Sequence, residues 1–272
     1  MRARCWFRDG LVLLLLIGYA LPFFWQLLTS FKPEAELLVL PPLLPSRLTL
    51  DHYRVVLAAS SIPRALLNSF GIAALTTLVS LVLGLFAAYA LARLPVPGKG
   101  ALMLAIVAST AFPQIATVSP LYLLLRILGL RDTWAALILA HTSFALPFMI
   151  WLLAGFIREI PEEIEHAALL DGAGRLQLLR WIVLPLAAPG LASIALLTFL
   201  FSWNEFLFAY TFTATPGSRT VPVALALFPG VFEVPWGDIA AASILASLPP
   251  VLIAVGLQRY LVRGFLGGAL KE

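Results

Sequence analysis

Charge is scarce in this chain: Asp, Glu, Lys and Arg make up 12% of its 272 residues, while 61% are hydrophobic. A soluble domain carries roughly 25% charged residues. One water-soluble core is therefore excluded, and a polytopic membrane chain is indicated. Cysteine is scarcer still, and the lone Cys5 excludes an internal disulfide and any metal site built on cysteine. The three histidines, His52, His141 and His166, show no metal-ligand spacing. No Gly-x-x-x-x-Gly-Lys-Ser/Thr run occurs, since Gly98-Lys99-Gly100 and Gly172-Ala173-Gly174 lack the rest of a phosphate cradle. Neither catalytic residues nor metal ligands are expected. The basic excess, 18 against 14, is scattered over the ends of apolar segments with no clustered face or aromatic platform, which speaks against nucleic acid.

What the chain does have is length in its apolar runs. A bilayer core takes about 20 residues per helix, and six stretches qualify, near 11–30, 65–92, 101–125, 134–157, 186–213 and 238–262. Runs such as Leu11-Val12-Leu13-Leu14-Leu15-Leu16-Ile17 do not alternate as barrel strands would. The expected fold is all-α with six transmembrane helices. With six spans the termini share a side, and that side holds Arg2, Arg4, Arg8, Arg93, Lys99, Arg158, Arg175, Arg180, Arg259, Arg263 and Lys271. The excess of Lys and Arg places both termini in the cytoplasm. Arg2 to Arg8 followed by an apolar run imitates a secretory signal, but the run continues to Ser30 and a small-x-small site occurs only as Gly18-Tyr19-Ala20. An uncleaved anchor is the better reading.

Two loops face outward on this topology. Residues 31–63 are broken by Pro33, Pro41, Pro42, Pro45 and Pro63, which rules out a further span and leaves room for a short surface helix near Asp51–Ala59. The loop from Thr213 to Gly237 carries Pro216-Gly217, Pro222, Pro229-Gly230 and Pro235-Trp236-Gly237 as turn signals.

The loop at 158–185 faces the cytoplasm and is polar and charged between long apolar segments. Pro161 followed by Glu162 and Glu163 suits a helix start, because carboxylates complement the free N–H groups and the dipole. Gly172 suits the position just past the helix end, where φ is positive. A second short helix is expected from Arg175 to Leu184, stopping near Pro185. Ala167 and Ala168 are small enough to permit close approach of a partner. Such a helix pair either enters a groove on another subunit as a rigid body or is simply a solvated interfacial pair.

Polar side chains within spans are costly in lipid, so each marks a candidate pathway residue: Asn68, Gln114, His141, Asn204 and Glu205. Asn204 and Glu205 lie about 19 residues beyond Pro185, which at 1.5 Å per residue puts them roughly 30 Å along the fifth span, in its outer half. Trp203, Phe206 and Phe208 beside them suit a sugar face. Helix–helix hydrogen bonding accounts for Asn204 and Glu205 equally well, and is the preferred reading for Gln114 and His141.

The register Glu165-His166-Ala167-Ala168-Leu169-Leu170-Asp171-Gly172-Ala173, followed by Ile182-Val183-Leu184-Pro185, resembles the EAA loop through which permease subunits of ABC importers engage cytoplasmic ATPases. Asn68-Ser69, Ala87-Ala88-Tyr89-Ala90-Leu91-Ala92-Arg93, Phe112-Pro113-Gln114, Gly129-Leu130-Arg131-Asp132-Thr133-Trp134, Ser202-Trp203-Asn204-Glu205-Phe206 and Gln258-Arg259-Tyr260-Leu261-Val262-Arg263-Gly264 extend the likeness over essentially the whole chain. Together they are similar to carbohydrate ABC permeases of the MalG type.

This resemblance implies a type-1 (MetI-like) ABC permease core at 63–263, after a first transmembrane helix and external loop at 1–62 and before a cytoplasmic tail at 264–272. It assigns ATPase coupling to Glu165, His166, Ala167, Ala168, Asp171, Gly172, Ile182 and Pro185. Asn68, Trp203, Asn204 and Glu205 would line the translocation pathway. The implied partners are a second, MalF-like permease, two ATPase subunits that carry the ATP and Mg, an extracytoplasmic sugar-binding protein and membrane lipid; the chain itself would hold no cofactor. The implied location is a prokaryotic inner membrane. The implied solute is a small sugar, an α-linked disaccharide such as maltose or trehalose, with glycerol-3-phosphate as the runner-up.

One position departs from the family pattern, which usually reads Glu-Ala-Ala where this chain has His166-Ala167-Ala168. An imidazole there accepts a hydrogen bond or becomes cationic at mildly acidic pH, and a specific ion pair with the ATPase does not carry over. A secondary transporter would need midplane ion sites and inverted repeats, and an intramembrane enzyme a convergent acid, base or metal set. Neither is evident.

Overall fold

The computed structural model describes the backbone of residues 2–37, 43–228 and 234–269, with side chains from residue 9 to residue 260. Turn signals at Pro41, Pro42 and Pro229-Gly230, the side chains of Arg2, Arg4, Arg8 and Arg263, and Lys271 lie outside the described residues. Among those described, every regular element is a helix.

Helix α1 spans Arg2–Thr29 and is followed by the short α2, Glu34–Leu37, and by α3, Asp51–Ala59, where a surface helix was expected. The second span, α4, covers Ile62–Arg93. It starts where the Ser60 hydroxyl accepts from the Ile62 N–H at 3.1 Å, with Pro63 in the first turn.

The third expected span is not one helix. Lys99–Thr110 (α5) and Gln114–Ile127 (α6) meet at 93°. Pro113 lacks an N–H and forces the residue before it away from helical geometry, which ends α5 ahead of Phe112-Pro113. Among the described residues, five helices are long and apolar enough to cross a membrane, six if the bent pair counts as one span.

The fourth span, α7, covers Trp134–Glu159, and its N-cap Thr133 accepts from the Ala136 N–H at 3.3 Å. Helix α8 spans Glu162–Leu170, and α9 covers Arg175–Leu178. The second loop helix does not stop at Pro185, as expected. A π-helical turn at Leu179–Val183 leads straight into α10, Leu184–Asn204. A proline ring clashes with the carbonyl four residues earlier in a regular α-helix, and the wider π turn, which ends two residues before Pro185, makes room for it.

The fifth span is also shorter than its hydropathy suggests. Helix α10 ends at Asn204, Glu205 is extended, and a separate α11 covers Leu207–Phe212. Helix α12 spans Val221–Ala226, and α13 spans Trp236–Ala269. Residues 264–269, expected to begin a tail, therefore continue the last helix.

The chain forms two compact units, residues 1–64 with 224–248, and residues 65–223 with 249–272. In the first, His52 on α3 is within 2.7 Å of Asp238 through Nδ1 and 3.0 Å from the Lys32 carbonyl through Nε2. Tyr53 holds the end of α1 through the Ser30 hydroxyl at 2.8 Å.

The second unit holds most of the core. One cluster joins Tyr89 and Ala92 of α4, Leu153 and Ile157 of α7, Leu178 of α9 and Ile194 of α10. Another joins Ile72, Leu137, Phe208 and Phe212. Apolar packing gains little over contact with lipid tails, so close approach and polar bonds have to hold such helices together. Gly71 supplies such an approach, since a Cβ there would sit 2.4 Å from the Trp134 ring.

Candidate functional site

Helix α8 ends in a full Schellman turn. The Gly172 N–H reaches the Leu169 carbonyl at 3.1 Å and the Ala173 N–H the Ala168 carbonyl at 3.0 Å, with Gly172 at φ +85°. The positive φ expected of Gly172 is present. The chain then turns into α9, where the Gln177 side chain accepts from the Gly174 N–H at 2.8 Å.

This turn gives the loop two faces. His166, Ala167, Asp171 and Gly172 are exposed, together with Leu170 at 89% and Leu176 at 66%. Ala168 packs against the inner core cluster and Ile182 is half-buried, while Pro185 is exposed within α10. Glu165 does not share the exposed face: it is 5% exposed and ion-paired with Arg93 at 2.6 Å. Its two oxygens bond to the Tyr89 hydroxyl and the Arg93 guanidinium of α4.

At the other end of α10 lie four of the polar residues singled out in the spans. Asn204, Gln114 and Glu205 line a cavity of about 580 Å³ with Leu197, Leu200, Phe201 and Phe206. The Asn204 amide donates back to the Leu200 carbonyl at 2.8 Å. Gln114 stands at the bend between α5 and α6 and also lines an adjoining hollow of about 350 Å³ with Phe112, Phe144 and Phe148.

The Glu205 carboxylate also bonds inward, to His141 among others. Glu205 Oε1 accepts from the Phe208 N–H at 2.8 Å and Oε2 from the Ala209 N–H at 3.0 Å, so the carboxylate caps the N-terminus of α11. His141, fully buried on α7, meets Glu205 at 3.1 Å through Nε2 and Ser202 at 2.7 Å through Nδ1. Both residues thus bond helix to helix, and Glu205 does so at the edge of the cavity that Asn204 and Gln114 line.

Asn68 and Trp203, expected along the pathway, are both buried within the chain. The Asn68 amide nitrogen donates to the carbonyls of Pro216 and Arg219 at 3.2 and 2.9 Å, and its oxygen accepts from the Trp134 indole at 3.2 Å. With its polar atoms engaged and no exposed surface, it anchors the loop after α11. Trp203 is 4% exposed and stacks on Phe199 at 5.6 Å in an apolar cluster with Ala73.

That loop has a second anchor which sequence patterns alone did not assign. Asp132, at φ +63°, accepts from the Ala214 N–H at 2.7 Å, the Thr215 N–H at 3.1 Å, the Thr215 hydroxyl at 2.8 Å and the Ser218 hydroxyl. Burial pushes the Asp132 carboxyl up, but the bonds from Ala214, Ser218 and Thr215 outweigh it and hold the group below the usual carboxylate range. Ser69 completes the clamp by accepting from the Val221 N–H at 2.8 Å.

Comparison with known proteins places this architecture. Residues 80–267 match the family described as binding-protein-dependent transport system inner membrane component. The chain is 45% identical over 260 residues to the trehalose transport system permease protein SugB of Mycobacterium tuberculosis (strain CDC 1551 / Oshkosh), covering 94% of each chain. It is 38% identical over 269 residues to the trehalose/maltose transport system permease protein MalG of Thermococcus litoralis, covering 95% of this chain and 96% of that one. In fold it is similar to a chain of a bacterial ABC transporter involved in the import of the acidic polysaccharide alginate, with a TM-score of 0.82 at 21% identity, over 96% of this chain and 97% of that chain. The chain thus has the fold of a multi-pass, type-1 ABC importer permease and belongs to the family of binding-protein-dependent transport system inner membrane components, as an ABC permease of the MalG type.

Proposed function

We propose that this chain is one half of the translocation pathway of an ATP-driven sugar importer, with trehalose or maltose as its solute. The observation that carries the reading is the identity of 45% with a trehalose permease along nearly the whole of both chains. The cavity beside Asn204 supports it, since an amide group next to the Phe201 and Phe206 rings offers the mixed polar and aromatic surface a sugar requires.

The second half of the pathway is a related, MalF-like permease, and the solute is delivered by an extracytoplasmic sugar-binding protein. ATP and Mg reside on two partner ATPase subunits, which dock on the loop at 158–185 with both termini of this chain on the same, cytoplasmic side. His166, Ala167, Asp171 and Gly172, flanked by the exposed Leu170 and Leu176, form the docking face. Apolar side chains beside small residues suit a groove on a partner that takes a short helix as a rigid body. ATP-driven closure of the ATPase pair would move α8 and α9 and reopen the cavity outward; product release would turn it inward.

Affinity purification of the tagged chain in mild detergent from its native membranes tests this assembly. Recovery of a second permease and an ATPase, with ATP hydrolysis stimulated by the binding protein loaded with trehalose or maltose, is the expected result. Stimulation by glycerol-3-phosphate and not by either sugar would move the substrate to the runner-up. Recovery of this chain alone, transporting in liposomes without ATP, would contradict the whole reading.

A further inference from the structure

Arg93 closes α4, and three segments converge on it. Its side chain is 7% exposed. Nε donates to Glu165 of α8 at 2.6 Å, and Nη1 to Glu162 at 3.3 Å. Nη2 donates to the Ile157 carbonyl at 2.6 Å and also to the Ile160 carbonyl, at the C-terminal end of α7. Tyr89, one turn earlier on α4, donates to the other oxygen of Glu165 at 3.3 Å.

The chemistry of this junction requires a guanidinium. The last carbonyls of a helix have no partner within it and carry its partial negative charge. A planar fork with five N–H donors can serve two such carbonyls and a carboxylate together, whereas an ammonium is a compact point charge. A charge withdrawn from water must stay paired, so α8 cannot move away from α4 and α7 without stranding Arg93 or Glu165. The same helix presents His166, Ala167 and Leu170 to solvent on another face.

We propose that Arg93 is a positioning residue that locks α8 to the inner ends of α4 and α7, so that the docking loop and these two spans move as one body. Glu165 serves this lock and does not contact the ATPase. The inference rests on the proposed docking role of 158–185. It also accounts for the carboxylate next to His166: that charge is committed inward, and the ATPase meets an imidazole.

The test uses the complete importer in liposomes and reads solute imported per ATP hydrolysed. Glu165→Gln keeps an acceptor for Nε but leaves the guanidinium only the exposed Glu162 as a charged partner, and Arg93→Lys keeps the charge but loses the fork. In parallel, a cysteine replacing Leu170 in a Cys5→Ser background is cross-linked to the ATPase. The cross-link is expected to form in both variants with the yield of the parent, while import per ATP falls several-fold. Import per ATP at the parent level in both variants, with the cross-link intact, would overturn the lock and leave the docking reading standing. Loss of co-purification with the ATPase in both variants would also overturn it, because a lock that transmits motion leaves the subunits bound. Failure of the Leu170→Cys parent to cross-link at all would instead remove the docking reading.

Discussion

His141 on α7 and Glu205 after α10 meet at 3.1 Å in a pocket where both side chains are almost wholly buried, and the same carboxylate accepts two N–H groups from the first turn of α11. One residue thus fixes both the end of a membrane helix and the start of the next. Glu205→Ala strands those two N–H groups and removes the partner of the imidazole. The expected cost is about 3 kcal/mol, given about 1–3 kcal/mol for a buried group left unsatisfied. Glu205→Gln, which keeps an acceptor, should lose less. Thermal unfolding of the purified complex in detergent checks the order of the two variants, and equal midpoints for both and the parent would contradict it.

Asn204 and Trp203 are adjacent in sequence and should behave oppositely. Trp203→Ala empties a buried site stacked on Phe199 and is expected to cost about 3–5 kcal/mol of stability. Asn204→Ala gives up one bond to its own helix, so the fold should be nearly unchanged while the half-saturation concentration for solute rises. Uptake kinetics and unfolding curves on the same preparations separate the two effects.

For Asp132 the prediction concerns pH. Its carboxyl is held below the ordinary value of 3.8 by the hydrogen bonds it accepts in the folded chain. A depressed folded value means that the stabilisation is complete above 3.8 and is lost as pH falls below it. Amide exchange at Ala214 and Thr215 should therefore accelerate relative to the core as pH is lowered through that range. Asp132→Asn tolerates the positive φ of +63° but has no charge to titrate, so its relative exchange should stay flat. A parent profile as flat as the variant's would contradict the assignment.

Gly172→Ala isolates a conformational cost. No atom beyond its immediate chain neighbours lies within 4 Å of the added methyl, so the penalty comes from φ +85° and should be about 1 kcal/mol. The change shows as a small drop in the unfolding midpoint, and Gly172→Asn should lose less than alanine.

How much of this was legible in the sequence follows from the range of each interaction. The spans at α1, α4, α7 and α13, the short α3 and the Gly172 turn depend on residues within one helix or turn, and apolar runs or single glycines announce them. The 93° bend before Gln114 does not show in hydropathy, because both arms are apolar. Proline is no guide by itself: Pro120, Pro147 and Pro189 sit inside unbroken helices while Pro113 marks a break. The division of α10 from α11 was hidden for the same reason, since Phe206 to Phe212 continue the apolar run.

The candidate site was legible where residues act in a local register and obscure where partners are distant. His166, Ala167, Asp171 and Gly172 share a face because their spacing on one helix and turn puts them there. That Glu165 turns inward depends on Arg93, 72 residues earlier. Asn68 engages carbonyls 148 and 151 residues away, and Asp132 reaches amides beyond α11. Spacing could not reveal such pairings, although a polar residue in each of the quoted motifs marked where to look.

The central claim, that this chain carries sugar through the membrane only under the drive of a partner ATPase, is tested most directly by uptake of labelled trehalose into liposomes holding the purified complex and its binding protein. The account predicts accumulation that requires ATP on the ATPase side and is abolished when this chain is omitted. Uptake that proceeds without ATP, or that is unchanged without this chain, would contradict it.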